Sequence, residues 1–244
     1  MTEGLSRRQI LVTRPQADQA RTAAALLDLG FEAVAAPVMD AVALPFSLPD
    51  QTWQAVIITS RNSLRMLNDD QIERLKSCRI FCVGTKTAAL AERLGFSIVA
   101  DPAQDVADLI GSLENELRPE KGEILYLAGR HRSGALSEAL SVHGLTVCLV
   151  ETYEMVGRTS LSERAIDAIR NRSLGGILVY STRTAALLVG LLEAQGLGDL
   201  VADVPFFCLS GSVAAVLQQS GYPVHVAESP NEAALLACVK KHHN

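Results

Sequence analysis

The chain repeats itself, and that repeat limits its fold more than any other feature. Ile10-Leu-Val-Thr13, with Gly30 closing the helix that follows, matches Ile124-Leu-Tyr-Leu127 with Gly144. Ile57-Ile-Thr-Ser60-Arg-Asn-Ser63 matches Val179-Tyr-Ser181-Thr-Arg-Thr184. Phe81-Cys-Val-Gly-Thr-Lys-Thr-Ala-Ala89 with Gly95 matches Phe207-Cys-Leu-Ser-Gly-Ser-Val-Ala-Ala215 with Gly221. Ala100-Asp-Pro102 matches Ala227-Glu-Ser-Pro230. Segments matching in the same order imply two similar units of about 110 residues each, running from about 10 to 118 and from about 124 to 240.

Each unit alternates short apolar runs with Ala/Leu-rich stretches. Ile10–Thr13, Phe31–Val38, Ala55–Ile58, Ile80–Val83, Ser97–Ala100 and Ile124–Leu127 read as strands. So do Thr146–Glu151, Ile177–Tyr180, Phe206–Leu209 and Val224–Val226. Helices are expected over 16–29, 63–67, 87–94, 109–117 and 135–142, with Gly30 and Gly144 as stops. Continuous apolar strands separated by helices belong to parallel sheets covered on both faces. The class is α/β.

Composition excludes several functions. At 48% hydrophobic residues over 244, the chain has a core to bury and is not disordered. No apolar run approaches the roughly 20 residues of a membrane span. Arg7 and Arg8 precede only the three-residue run Ile10–Val12, which is not a secretory signal. Five cysteines, an odd number without a C-x-x-C pair, fit reduced thiols in a cytoplasmic protein better than disulfides or zinc. The net charge of -5 disfavours nucleic acid as a partner. It also means that any anionic ligand must be held locally.

Ligands of open parallel sheets bind beyond the carboxyl ends of the strands. Hydroxyl and basic residues gather at those points: Thr13-Arg14, Thr59-Ser60-Arg61, Gly84-Thr85-Lys86-Thr87, Gly129-Arg130-His131-Arg132-Ser133, Ser181-Thr182-Arg183 and Ser210-Gly211-Ser212. Taken alone, each is an ordinary N-cap. Six of them in two halves point to a ligand with many carboxylates or phosphates, bound between the halves at helix N-termini. Arg14, Arg130 and Arg132 are the charge contacts this pattern offers.

No phosphate loop, dinucleotide fingerprint or G-x-S-x-G elbow is present. No histidine spacing suggests a metal. His131 reads as a solvated loop residue or an anion contact, His143 as compensation for a helix dipole, and His225 as a strand residue facing inward. His242 and His243 are expected in a solvated tail. Cys82 and Cys208 lie inside strands and read as core. Tyr153 follows the strand at 146–151, where the chain turns polar up to Gly157. Its phenol reads either as an interface side chain or as a proton donor in a cleft.

The set Leu11-Val-Thr-Arg-Pro15 with Gly30 and Pro37, Ile58-Thr-Ser60, Val83-Gly84 with Thr87-Ala88 and Gly95-Phe96, Tyr153, Tyr180-Ser181 and Ala227-Glu-Ser-Pro230 resembles the uroporphyrinogen-III synthase family. The resemblance runs from about Ile10 to Val239. It implies two flavodoxin/Rossmann-like α/β domains joined by a two-stranded linker, with the site in the cleft. One domain would take about 1–38 plus 156–244 and the other about 42–152, with linkers near 39–41 and 153–155. The repeat alone would instead cut the chain near 119. The implied activity is a cyclising lyase that converts hydroxymethylbilane to uroporphyrinogen III, inverting the last pyrrole ring and losing water, in porphyrin and heme biosynthesis. No cofactor and no metal are implied. The partner is a linear tetrapyrrole, with neither nucleic acid nor membrane, and a monomer is expected.

Carried over position by position, Thr59, Ser60, Thr87 and Ser181 would bind substrate, and Tyr153 matches the cleft tyrosine. Tyr180 stands where the family more often has threonine or serine. Val213 stands where a Gly-x-x-Thr turn would place threonine, leaving Ser212 as the substitute donor. A different class also fits the turns: a cytosolic two-domain protein that binds or senses small anions without catalysis. Formation of the type III product above the spontaneous type I product separates the two.

Overall fold

The structure is a computed structural model that describes residues 9–132 and 134–243. The Arg7-Arg8 segment and Ser133 of the 129–134 loop lie outside the described residues. The chain divides into two compact units, Met1–Asp40 with Val156–Asn244, and Ala41–Met155.

In chain order the first unit begins with β1 (Gln9–Val12), α1 (Gln19–Asp28) and β2 (Glu32–Ala35), and β3 (Met39–Ala43) follows. The second unit continues with β4 (Ala55–Ile58), α2 (Arg61–Arg65), α3 (Asp69–Leu75), β5 (Arg79–Cys82), α4 (Thr85–Arg93) and β6 (Ile98–Val99). Then come α5 (Val106–Glu116), β7 (Ile124–Gly129), α6 (Ala135–Val142) and the long β8 (Val147–Gly157). The chain returns to the first unit with α7 (Glu163–Arg170), β9 (Leu174–Val179), α8 (Thr182–Ala194), β10 (Phe206–Cys208), α9 (Gly211–Gln219), β11 (Val224–Val226) and α10 (Glu232–His243).

The first unit holds a sheet in the order β11-β10-β9-β1-β2, its paired strands parallel. Ile10, Leu11 and Val12 are fully buried, each contributing about 1.5–3 kcal/mol of burial. Their alternation sends Ile10 and Val12 to one face, where Leu26 of α1 and Leu235 and Val239 of α10 pack on them. Gly176 of β9 admits the ring of Phe207, since a Cβ there would lie 2.3 Å from Cε2.

The second unit's sheet runs β3-β8-β7-β4-β5-β6. Val56, Ile58, Ile80, Cys82, Leu125 and Leu127 face one layer, and Ala55, Ile57, Phe81, Ile124 and Tyr126 the other. Strands covered on both sides must be apolar throughout, which is why β4 reads Ala-Val-Ile-Ile with every residue buried.

Matched segments of the repeat occupy matching places. β1 and β7 correspond, as do β9 and β4, β10 and β5, and β11 and β6. The first sheet therefore runs 5-4-3-1-2 in flavodoxin-like terms, and the second repeats that order with β3 added beyond β8. Each half of the repeat contributes its opening strand to one unit and its later strands to the other, so the consecutive halves are not compact units. The glycines that stop matching helices share one conformation, with φ of 86° at Gly30 and 73° at Gly144.

Three expectations drawn from the residues alone are corrected, in β8, α2 and α10. The strand expected to end at 151 continues to Gly157, because its polar residues remain beside β7 and β3. Met39–Ala43 forms a strand beside β8 where the resemblance puts a linker strand, although the residues alone show only a short connection there. The helix expected at 63–67 starts at Arg61, because the Ser60 hydroxyl caps it by accepting from Asn62 N at 3.2 Å. His242 and His243 belong to the last turn of α10 rather than to a tail; His242 is exposed as expected, and His243 is partly buried with its ring beside Phe31.

Candidate functional site

Each sheet reverses its order at one place, between β1 and β9 in the first unit and between β7 and β4 in the second. The crevice beyond the carboxyl ends of such a strand pair is the usual ligand position. The residues singled out from sequence fall around these two points, one set in each unit.

In the second unit, β4 delivers Thr59 and Ser60. The Thr59 hydroxyl lies 3.2 Å from the phenol oxygen of Tyr126 on β7, which ties the two strand ends together. Ser60 opens α2 as its N-cap. At the end of β5, Gly84 takes a φ of 78° and begins α4. Thr87 sits in the first turn of that helix, its N–H bonded to Gly84 O at 3.0 Å and its side chain buried. Its repeat counterpart, Val213 in α9, is buried as well. Both positions face their own unit's interior, which is why an apolar residue is accepted at 213.

Beyond β7 the geometry tightens. Tyr153 of β8 lies against Gly129, and Arg130 N donates to Tyr153 O at 2.9 Å. Arg130 extends to Glu154 at 2.9 Å and Glu151 at 3.2 Å, and Arg132 reaches Glu151 at 2.8 Å and the carbonyl of Gly129 at 2.9 Å. Hydrogen bonds from Arg132 and Arg130 hold the Glu151 carboxyl below its ordinary range. Two cations of the 129–132 loop and two carboxylates of β8 thus neutralise one another. His131 is exposed in the same loop.

In the first unit, Thr13 is buried at the end of β1 and donates to Leu178 O at 2.6 Å. Arg14 follows and turns inward. Its guanidinium meets Glu232 of α10 at 2.6 Å and Thr22 at 3.1 Å, and it lies 4.5 Å from the centre of the Tyr180 ring. Burial pushes the Tyr180 phenol above its ordinary value, so that hydroxyl stays protonated. Ser181 caps α8, accepting from Thr184 N at 3.1 Å. Ser212 is exposed at the start of α9, with its hydroxyl 2.9 Å from that of Ser210.

The structure thus brings Thr59, Ser60, Thr87, Arg130 and Tyr153 to the carboxyl ends of one sheet, and Arg14, Ser181 and Ser212 to those of the other. Sequence reading missed Glu232, Tyr126, Glu151 and Glu154 as their partners. No spacing signals a contact across 218 residues such as that of Arg14 and Glu232. Cys82 and Cys208 are fully buried, with thiols pushed up to about 12 mainly by burial, which suits core residues and not nucleophiles. Among the described residues no group of three His, Cys, Asp or Glu is placed to hold a metal ion. No helix among them is long and apolar enough to cross a membrane.

Comparison with known proteins connects this arrangement to one family. The family model described as uroporphyrinogen-III synthase HemD matches residues 20–237. No curated protein matches the chain. Among solved structures, the uroporphyrinogen-III synthetase of Helicobacter pylori aligns at 17% identity with a TM-score of 0.65, over 96% of this chain and 99% of that one. A mutant uroporphyrinogen III synthase from Thermus thermophilus aligns at 16% identity and a TM-score of 0.48, over 96% and 97%. A second Thermus thermophilus structure of that enzyme aligns at 17% and 0.45, over 97% and 99%. At such identities the Helicobacter pylori likeness is one of fold.

Proposed function

The chain belongs to the uroporphyrinogen-III synthase family, and on that premise we propose how its residues carry the reaction. The protein is a lyase of porphyrin biosynthesis that cyclises hydroxymethylbilane to uroporphyrinogen III with loss of water. The C–O bond of the terminal hydroxymethyl group breaks, and the oxygen leaves as water once it has gained a proton. The azafulvene left behind is electrophilic. The last pyrrole attacks it through its substituted carbon, and fragmentation and reclosure of the resulting spiro intermediate invert that ring.

Tyr153 is the proton donor to the departing hydroxyl. The observation that carries this assignment is the position of its phenol at the carboxyl end of β7, against Gly129 and beside the switch point. Acid assistance of this kind contributes roughly 10²–10⁴-fold. Holding the rings in register contributes on the order of 7–11 kcal/mol at best. Because spontaneous closure readily gives the un-inverted isomer, positioning outweighs any one acid.

The acetate and propionate arms are held by neutral donors, the hydroxyls and nearby N–H groups of Thr59, Ser60, Ser181 and Ser212, while Thr87, buried and with its N–H bonded to Gly84 O, fixes the first turn of α4. Arg14 is committed to Glu232 in a largely buried pair and serves structure. Arg130, about half exposed, can exchange its own glutamates for a substrate carboxylate. Five unpaired cysteines support a cytoplasmic site of action. The assay is the isomer ratio formed from hydroxymethylbilane. Type III in excess of type I is expected, and type I at the spontaneous rate would overturn the reading.

A further inference from the structure

The ladder between β7 and β8 runs in step from Ile124 opposite Val147 to Ala128 opposite Glu151, and then slips. Gly129 pairs with Tyr153, leaving Thr152 as the extra residue. Such a bulge changes where the following side chain points, and it does so here one residue before the proposed acid. Thr152 is fully buried, and its hydroxyl donates to Ala128 O at 3.3 Å, where the ladder is interrupted. Its own carbonyl accepts from Leu44 N at 3.0 Å.

Gly129 completes the arrangement from the other strand. A Cβ on Gly129 would lie 2.7 Å from Tyr153 Cζ, 2.9 Å from Oη and 3.1 Å from Cε1. Those three nearest atoms all belong to the phenol. Gly129 is not among the glycines with positive φ, so its backbone accepts an alanine without strain. What requires glycine there is the tyrosine ring and not the main chain.

We propose that Gly129 and Thr152 are positioning residues for Tyr153, fixing the phenol at one place over the end of β7. The proposal rests on the reading of Tyr153 as the proton donor. Thr152 sets the direction of the side chain by holding the bulge, and Gly129 leaves the space into which the ring settles. An alanine at 129 moves the ring and leaves the strand in place. Displacement of a reacting group by about 1 Å costs on the order of 10²-fold in rate. The hydroxyl turns at Thr59, Ser60, Ser181 and Ser212 are untouched, and the 129–130 backbone keeps its conformation, so the loss falls on kcat and not on KM.

The test measures kcat, KM and product isomers with hydroxymethylbilane, together with the thermal midpoint, for Gly129→Ala, Thr152→Val, Thr152→Ser, Tyr153→Phe and the double variant Gly129→Ala/Tyr153→Phe. Gly129→Ala is expected to lower kcat about 10²-fold with KM and midpoint unchanged. Thr152→Val is expected to lower kcat about tenfold, and Thr152→Ser, which keeps the hydroxyl, to restore it. In the Tyr153→Phe background Gly129→Ala adds less than about twofold, because the hydroxyl it misplaces is already gone. If Tyr153→Phe is slow while Gly129→Ala and Thr152→Val keep wild-type kcat, the positioning proposal fails and the acid role stands. A loss in the double variant equal to the product of the two single losses also overturns the proposal. Tyr153→Phe at full rate removes the acid role itself.

Discussion

Arg14 and Glu232, 218 residues apart in sequence, form an ion pair of 2.6 Å with side chains only 18% and 14% exposed. Thr22 donates to the same carboxylate oxygen at 2.5 Å, and the Tyr180 ring covers the guanidinium. The pair joins α10 to the β1–α1 corner at the first unit's switch point.

Arg14→Gln leaves the Glu232 carboxylate with Thr22 and with Arg21, 3.5 Å away, but with little solvent. The substitution is therefore expected to destabilise the protein by about 1–3 kcal/mol in urea unfolding. Replacing both partners with apolar residues, Arg14→Met with Glu232→Leu, should recover most of that loss. An Arg14→Gln variant of wild-type stability would show that the pair is not structural.

Ser181 caps α8, and the proposed function gives it a second, separable task, holding a substrate carboxylate. Ser181→Ala removes both, lowering stability by about 1 kcal/mol and raising KM. Ser181→Asp separates them. Aspartate is a good N-cap and should restore stability, while its negative charge raises KM further against an anionic substrate. If KM of the aspartate variant matches wild type, Ser181 is only a cap.

These outcomes depend on features that differ in how well the sequence displays them. β1, β4 and β9 were legible because a strand buried on both faces must be an unbroken apolar run. β3 was not, since Met39-Asp-Ala-Val-Ala43 is only partly buried and shows neither a run nor a clean alternation. The polar end of β8 resembles a loop, because Glu151 and Glu154 serve ion pairs and the buried Thr152 serves a hydrogen bond to Ala128 O. Thr59, Ser60 and Ser181 were found because strand ends followed by hydroxyls mark helix starts. The bulge at Thr152 and the space above Gly129 depend on register between strands, which no single strand carries.

Gly176 offers a contrast to Gly129. A Cβ there meets Phe207 Cε2 at 2.3 Å and Pro205 O at 3.2 Å, and Phe207 is fully buried and cannot swing away. Gly176→Ala should cost about 1–3 kcal/mol of stability, with kcat of the folded fraction unchanged. A stable Gly176→Ala protein with reduced kcat would contradict this account of the first unit's core.

His225 predicts a pH dependence. Burial, and then the nearby His242, hold its pKa below the ordinary 6.5, with its ring stacked on Phe207 at 5.5 Å. Below pH 6.5 the unfolded chain takes up a proton that the folded chain resists. Stability should therefore fall as pH drops through 6.5 and level off below the folded pKa. In His225→Gln the fall should be shallower, as measured by urea midpoints between pH 7.5 and about 5. Parallel curves for the two proteins would rule out His225 as the source.

The central claim is that Tyr153 protonates the departing hydroxyl from a fixed position over Gly129. The most direct measurement is the single-turnover rate and isomer ratio of Tyr153→Phe on hydroxymethylbilane, beside the wild-type protein. The account predicts a rate lower by roughly 10²–10⁴-fold, with type I product rising as spontaneous closure overtakes the enzyme. A Tyr153→Phe protein that forms type III product at the wild-type rate would contradict it.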